Sequence, residues 1–203
     1  PISYIDLVDD SFSTDALVDS MVRDSMFGGQ MYMMPRDYNQ FVMFYNKWLF
    51  EKCGVDEIDN VEALSAEELE GLMYRLHGIM ASNKFTTPYG GNTGEGQVID
   101  CNWAWGSVAY GLYRMFGADV VDNEGNVIFG NGDATYNAIE WVKKSVYNGY
   151  TPEPGEQSSG GFFTQYKAPF LIETRAVLTD LIKSDSKNNW AEHIGVAPMP
   201  ELS

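Results

Sequence analysis

The chain has 203 residues, enough for one large domain or two small ones. Lys and Arg number 13 against 29 Asp and Glu, a net charge of −16, which argues against a nucleic-acid binder because that affinity rests on basic side chains at phosphates. Hydrophobic residues at 44% and charged residues at 21% describe a globular chain, and no apolar run approaches the roughly 20 residues of a membrane-spanning helix.

In chain order, residues 14–27 (TDALVDSMVRDSMF) predict an amphipathic helix with Leu17, Met21 and Met26 on or near one face, stopped by Gly28 and Gly29. QMYMMP and then FVMFYN predict two short strands. Asn46 is placed to cap the helix KWLFEKC, which Gly54 ends. The clearest helix start is LSAEEL, with Ser65 as N-cap, Glu68 closing a capping box and Leu64 able to staple to Leu69. Leu69, Leu72, Met73, Leu76 and Met80 continue it at helical spacing.

Residues 86–100 form a glycine-rich loop long enough to suspect a function, and a helix is expected from about Asn102 to Phe116, ending at Gly117. ADVVDNEGNVIFG predicts a β-hairpin turning on Asp122, Asn123, Glu124 and Gly125. DNEGN lacks the alternating acids and terminal Glu of a calcium loop, so it reads as a turn. Asp133 is placed to cap a helix with Ala134, Ala138, Val142 and Val146 inward, stopped by Gly149. TPEPGEQSSGG is a second loop, followed by a short helix near Phe163, a strand at 170–172, more helix and a strand at 194–197. Short strands separated by helices predict an α/β or α+β layered domain.

Cys53 and Cys101 cannot make a disulfide-rich scaffold and lack CxxC spacing; whether they pair depends on a Cα separation that the sequence does not reveal. His77 and His193 stand far apart, so no metal site or other cofactor is expected, and His77 reads as a partly buried helix residue. Trp141 and Trp190 read as core or surface anchors. The chain opens on Pro1 and stops after GVAPMPELS, which reads as a piece of a longer protein.

The segment GGQMYMMPRDYNQFVMFYNKWLFEKCGVDE resembles the extracellular solute-binding proteins of ABC importers, in the sugar-binding group that is maltose-binding-protein-like. Pro35, the triplet Tyr45-Asn46-Lys47 and Gly54 stand at that family's intervals. The later order also matches: a Trp-bearing helix, FGADVVDNEGNVIFGNGDATYNAIEWVKKSVYNGY, a Phe followed by Lys-Ala, and GVAPMP. Two departures stand out. EALSAEEL takes the place of the family's Pro-Pro-x-Thr-Trp-x-Glu, and YKAPF replaces its usual Gly-x-x-Ala-Met.

The resemblance implies an α/β fold, a periplasmic-binding-protein-like lobe with a short mixed sheet flanked by helices. Residues 1–40 would be the tail of a first lobe and the hinge, and residues 41–203 the second lobe. It implies capture of a sugar or oligosaccharide by closure of two lobes, and delivery to the membrane permease subunits of an ABC importer. The location implied is extracellular, as a cell-surface lipoprotein or in a periplasm, with no enzymatic activity and no nucleic-acid partner. Two other readings stand beside it: a carbohydrate-active hydrolase using paired carboxylates, and an acidic interaction module without an aromatic-lined cleft.

Sugar rings offer C–H faces that stack on aromatics and hydroxyl rims that need planar polar partners. By resemblance the helix start that holds CNWAWGS faces the cleft, making Trp103 or Trp105 a stacking platform, with packing in the core as the alternative for both. Asp37, Tyr38 and Asn39 would line the cleft beside the hinge, or form a plain polar linker. Glu173 and Arg175, after the strand at 170–172, would bind hydroxyls as a fork or pair as a surface salt bridge. Tyr89 and Asn92 in the glycine loop are weaker candidates.

Overall fold

A computed structural model of the chain describes residues 15, 17–35, 39–58, 62–94, 97–122, 124–130, 132–155, 160–183 and 190–203. The chain divides into two compact units, Pro1–Gln40 and Phe41–Ser203. In the first, α1 (Asp19–Asp24) is shorter than the expected 14–27, of which 14 and 16 lie outside the described residues. Met26 and Phe27 instead form β1 (Met26–Phe27), paired antiparallel with β2 (Gln30–Met31). Gly28 and Gly29, expected only to stop a helix, make the connecting turn. Both hold positive φ, 56° and 77°, which a two-residue hairpin of the primed type requires at its two central positions.

The second unit is built on a four-stranded mixed sheet of β3 (Phe41–Asn46), β4 (Ile99–Asp100), β5 (Phe170–Thr174) and β6 (Ile194–Ala197), in the order β4-β5-β3-β6. β4 and β5 are parallel, while β3 runs antiparallel to both β5 and β6. The carboxyl ends of β4, β5 and β6 therefore share one end of the sheet, where β3 begins at Phe41. Both faces are covered, which explains why FVMFYN is a continuous apolar run. Met43, Tyr45, Phe170 and Ile172 join one buried cluster, and Phe44, Leu171, Phe163, Tyr166, Leu181 and Ile194 form a second.

Helices close the first face. In α2 (Lys47–Cys53) the Leu49 N–H donates to Asn46 Oδ1 at 3.0 Å, and Gly54 ends the helix at φ 60°. In α3 (Ala66–Ser82) the Ser65–Glu68 capping box forms, and Leu69, Met73, Leu76 and Met80 are buried, each such side chain contributing about 1.5–3 kcal/mol. His77 is half-buried, its ring 5.2 Å from Tyr150.

α4 (Gly106–Met115) starts later than expected because Asn102 competes with the helix. Its side-chain oxygen accepts from Ala104 N–H (3.1 Å) and its carbonyl from Trp105 N–H (3.0 Å), a local turn typical of Asn. The segment after Gly117 turns on Asp122, whose carboxylate accepts the N–H groups of Glu124 and Asn126 (2.9 and 2.8 Å). Among the described residues its strand pairing is the single bridge Val121–Val127, and Asn123 lies outside them. α5 (Asp133–Tyr147) is capped by Gly132, with Asp133 inside the first turn; Thr135, Ala138, Trp141 and Ser145 are buried, and Val142 and Val146 are half-buried.

The second face carries α6 (Gly161–Thr164), α7 (Val177–Lys183) and α8 (Trp190–His193). Asp100, with no exposed surface, holds α6 to the sheet: one carboxylate oxygen accepts from both Phe162 and Phe163 N–H at 2.9 Å. Cys53 and Cys101 are both buried free thiols. Burial pushes the Cys53 thiol up to about 11 and raises the Cys101 thiol as well, so both are poor nucleophiles.

Candidate functional site

In open α/β sheets ligands bind outside the carboxyl ends of the strands. In this sheet that end gathers the start of β3, the end of β5 and the loop from β4 into α4. Trp105 is the N-cap residue of α4 and leaves 42% of its surface exposed. Its ring meets Phe41 edge-on, with centroids 5.7 Å apart and planes at 63°. Phe41 is the first residue of β3, opposite Thr174 at the end of β5. Gly111 on α4 lies against it: a Cβ at that glycine would make an ordinary contact with Phe41 Cδ2 at 4.0 Å. No side chain caps α4, so its first N–H groups stand beside Trp105 as donors for a polar ligand.

Trp103 is placed differently. It is 8% exposed, packs edge-on against Trp141 at 6.1 Å, and belongs to the large core cluster. Its indole N–H is buried without a hydrogen-bond partner. The same side chain walls a cavity of about 380 Å³ between α4 and α5, lined by Leu112, Tyr113, Ile139, Val142 and Lys143 among others. That cavity is apolar and follows the helix seam rather than the carboxyl end of the sheet. The two tryptophans that the sequence left open thus divide, one inward and one outward.

Glu173 and Thr174 finish β5 half-buried, and Arg175 is exposed. The Thr174 N–H donates to Glu173 Oε1 at 2.7 Å, which steadies that carboxylate. Register puts Glu173 opposite Val42, on the face away from Phe41 and Thr174. Among the described residues no ion pair joins Glu173 to Arg175. Asn39 belongs to the first unit and is exposed; Asp37 and Tyr38 lie outside the described residues. Phe41 was not among the sequence candidates. Its signal was its place in the alternation Phe41, Met43, Tyr45, but the contact with Trp105 spans 64 positions of chain and is visible only in three dimensions. Among the described residues no cluster of His, Cys, Asp and Glu is arranged to hold a metal ion.

No protein-family model matches the chain, and no curated protein matches it in sequence. Solved structures do. The ABC substrate-binding protein Lmo0181 from Listeria monocytogenes, in complex with cycloalternan, superposes with a TM-score of 0.70 at 15% identity, over 99% of this chain and 48% of that one. UgpB from Mycobacterium tuberculosis, in complex with glycerophosphocholine, gives 0.68 at 15% identity over 100% and 47%. The GacH receptor of Streptomyces glaucescens, studied unliganded and with acarbose, gives 0.67 at 19% identity over 92% and 44%. The chain spans about half the length of these structures, and its fold is that of the corresponding part of a solute-binding protein.

Proposed function

We propose that the protein captures a sugar or oligosaccharide outside the cell and delivers it to the permease subunits of an ABC importer. In this reading Phe41–Ser203 is the second of two lobes, Pro1–Gln40 is the tail of the first lobe with the hinge, and ligand favours closure of the two lobes of the whole protein. The single observation that carries it is Trp105, an exposed indole braced by Phe41 at the carboxyl end of a mixed sheet whose fold matches sugar-binding receptors. Trp105 stacks on a pyranose face, the N–H groups at the start of α4 take its hydroxyls, and Trp103, Glu173, Arg175, Asp37, Tyr38 and Asn39 are further candidates for ligand contact. The protein performs no chemistry on its ligand. Its location is extracellular, on the cell surface or in a periplasm; among the described residues no helix is long and apolar enough to cross a membrane.

A thermal-shift screen of the full protein against mono- and oligosaccharides, with glycerophosphocholine included, tests this. A ligand that binds only the native state raises the melting temperature, by about 2.7 kcal/mol of added stability at a hundredfold excess over Kd. The expected result is a rise with a saccharide that Trp105→Ala abolishes. Saccharides that leave melting unchanged, or a shift that Trp105→Ala does not diminish, would remove the reading. Release of shortened sugars during the incubation would restore the hydrolase alternative.

A further inference from the structure

A second aromatic platform stands at the other end of the sheet, where β3 ends and β5 and β6 begin. Loop 85–93 folds back on itself: Thr93 N–H donates to Phe85 O (3.0 Å), Thr87 N–H to Gly91 O (2.7 Å) and Gly90 N–H to Thr87 O (2.9 Å), with Gly90 at φ 82°. The fold-back brings Tyr89 to its tip, 53% exposed. Behind Tyr89 stands Tyr166, with no exposed surface, the two rings 5.7 Å apart and at 66°. Tyr166 in turn meets Trp48 edge-on at 5.1 Å, and its hydroxyl lies 2.8 Å from His193 Nδ1.

Tyr166 sits at φ 58°, the one non-glycine residue at positive φ among the described residues. It closes the carboxyl end of α6, where Tyr166 N–H donates to Phe163 O and Lys167 N–H to Phe162 O. Glycine is the usual residue at such a position, and a bulky side chain there costs about 1–3 kcal/mol. What glycine would lack is the phenol that fills the foot of the Tyr89 platform and ties it to α2 and α8.

A pocket of about 450 Å³ opens beside Tyr89, lined further by Thr87, Asn92, Thr164, Gln165 and Lys167. Its size is that of small-molecule sites. Its chemistry is one aromatic face with its phenol, two side-chain amides, two threonine hydroxyls and one ammonium, with no carboxylate in the lining among the described residues. The neighbouring pocket at Trp48 and His193, by contrast, is lined by Glu51, Asp56, Glu57 and Glu192. An apolar ring face, planar amides and hydroxyls are the groups that a pyranose needs, and the ammonium adds a partner for an anionic substituent.

We infer that the Tyr89 pocket is a second carbohydrate site, separate from the Trp105 edge, which takes a saccharide stacked on Tyr89 with its hydroxyls on Asn92 and Gln165. Lys167 makes it favour sugars that carry a carboxylate. The inference stands on this pocket alone and survives or fails independently of the proposed transport role. The test is an amide NMR titration of the full chain with trigalacturonate and with maltotriose. An exposed platform predicts binding near 1 mM, roughly −4 kcal/mol. Shifts are expected at Gly90–Asn92 and Thr164–Lys167, larger at equal concentration for trigalacturonate. Trp105→Ala should leave them intact, Tyr89→Ala should abolish them, and Gln165→Ala, at an exposed position away from the Tyr89–Tyr166 contact, should weaken binding about tenfold. Absence of those shifts with both saccharides, or shifts that persist in a folded Tyr89→Ala protein, would overturn the site. Equal affinity for the two saccharides would overturn the role of Lys167.

Discussion

At the carboxyl end of β5, Trp105 leaves 42% of its surface uncovered against a half-buried Phe41, whereas at the amino end Tyr166 is wholly buried behind Tyr89 and hydrogen-bonded to His193. The first arrangement is made by a helix start and a strand start, neither in a strained conformation. The second is made by loops and needs a tyrosine in the left-handed region. Sites held by rigid elements are more precise than sites held by loops, which adapt. For the two proposed sites, the contrast predicts a more rigid platform at Trp105 and a more adaptable one at Tyr89.

Trp103 and Trp105 give the sharpest way to break this comparison. Trp103→Ala should destabilise the protein by about 4 kcal/mol, as buried aromatic truncations do, while Trp105→Ala should cost less than about 1 kcal/mol and act on ligand binding instead. Equal losses in urea denaturation would mean that Trp105 is core. Gly195→Ala comes next. Gly195 lies opposite Tyr45 in the ladder, and a Cβ there would stand 2.0 Å from the Tyr45 ring. Because the ring is itself 3% exposed and held in the core, it cannot swing away, and a loss of about 3 kcal/mol is expected. A variant of unchanged denaturation midpoint would show the ring to be free to move.

Smaller effects sharpen the picture at the amino end. Tyr166→Phe keeps the ring contacts with Trp48 and Tyr89 but removes the hydroxyl from His193, for a loss of about 1 kcal/mol by chemical denaturation. A much larger loss would mean that the hydroxyl, and not the ring, holds this cluster together.

The smallest expected effect is a dependence on pH, and it too belongs to the end where β3 finishes. The carboxyl of Glu57 is held below its ordinary 4.5 by the hydrogen bond and ion pair from Lys47, at 2.8 Å. A lowered folded value means that this contribution is present above 4.5 and is lost as pH falls through the lower value. Tyr45 is pushed up from 10.0 to about 12, chiefly by burial and then by Glu57, so its contribution is present below 10 and is lost as pH rises toward 12. Glu57→Gln should flatten the acid limb of a stability-versus-pH curve and soften the alkaline one. Curves that coincide with the parent protein on both sides would show these groups to be solvated.

Legibility in the sequence followed the range of the interaction. Asn46 capping α2, the Ser65–Glu68 box and the stripe from Leu69 to Met80 were all readable, because each involves partners within about four residues on a helix. α1 is shorter than the expected 14–27, because apolar periodicity does not reveal that Met26 pairs across two positive-φ glycines with Met31. α4 starts about four residues after the expected Asn102 because the Asn102 side chain offers the backbone an alternative to helix. Glu173 and Arg175 are candidates by resemblance, and the structure places Glu173 inside β5, which runs two residues beyond the expected 170–172. The choice between Trp103 and Trp105 was not readable, because two positions before a helix differ only in what the rest of the fold lays over them.

The sequence by itself determined an acidic globular chain, the caps of α2 and α3, three of the four strands of the main sheet and a family resemblance that the fold bears out, while β4 lay hidden in the expected loop over 86–100. These rest on composition and on neighbours along the chain. Only the tertiary structure decided which tryptophan faces outward, that Phe41 braces it, that two cysteines stay apart as buried thiols, and that Tyr166 is buried in a left-handed turn behind Tyr89. Each of those depends on surfaces brought together from far apart in the chain, where burial rather than local preference sets the outcome.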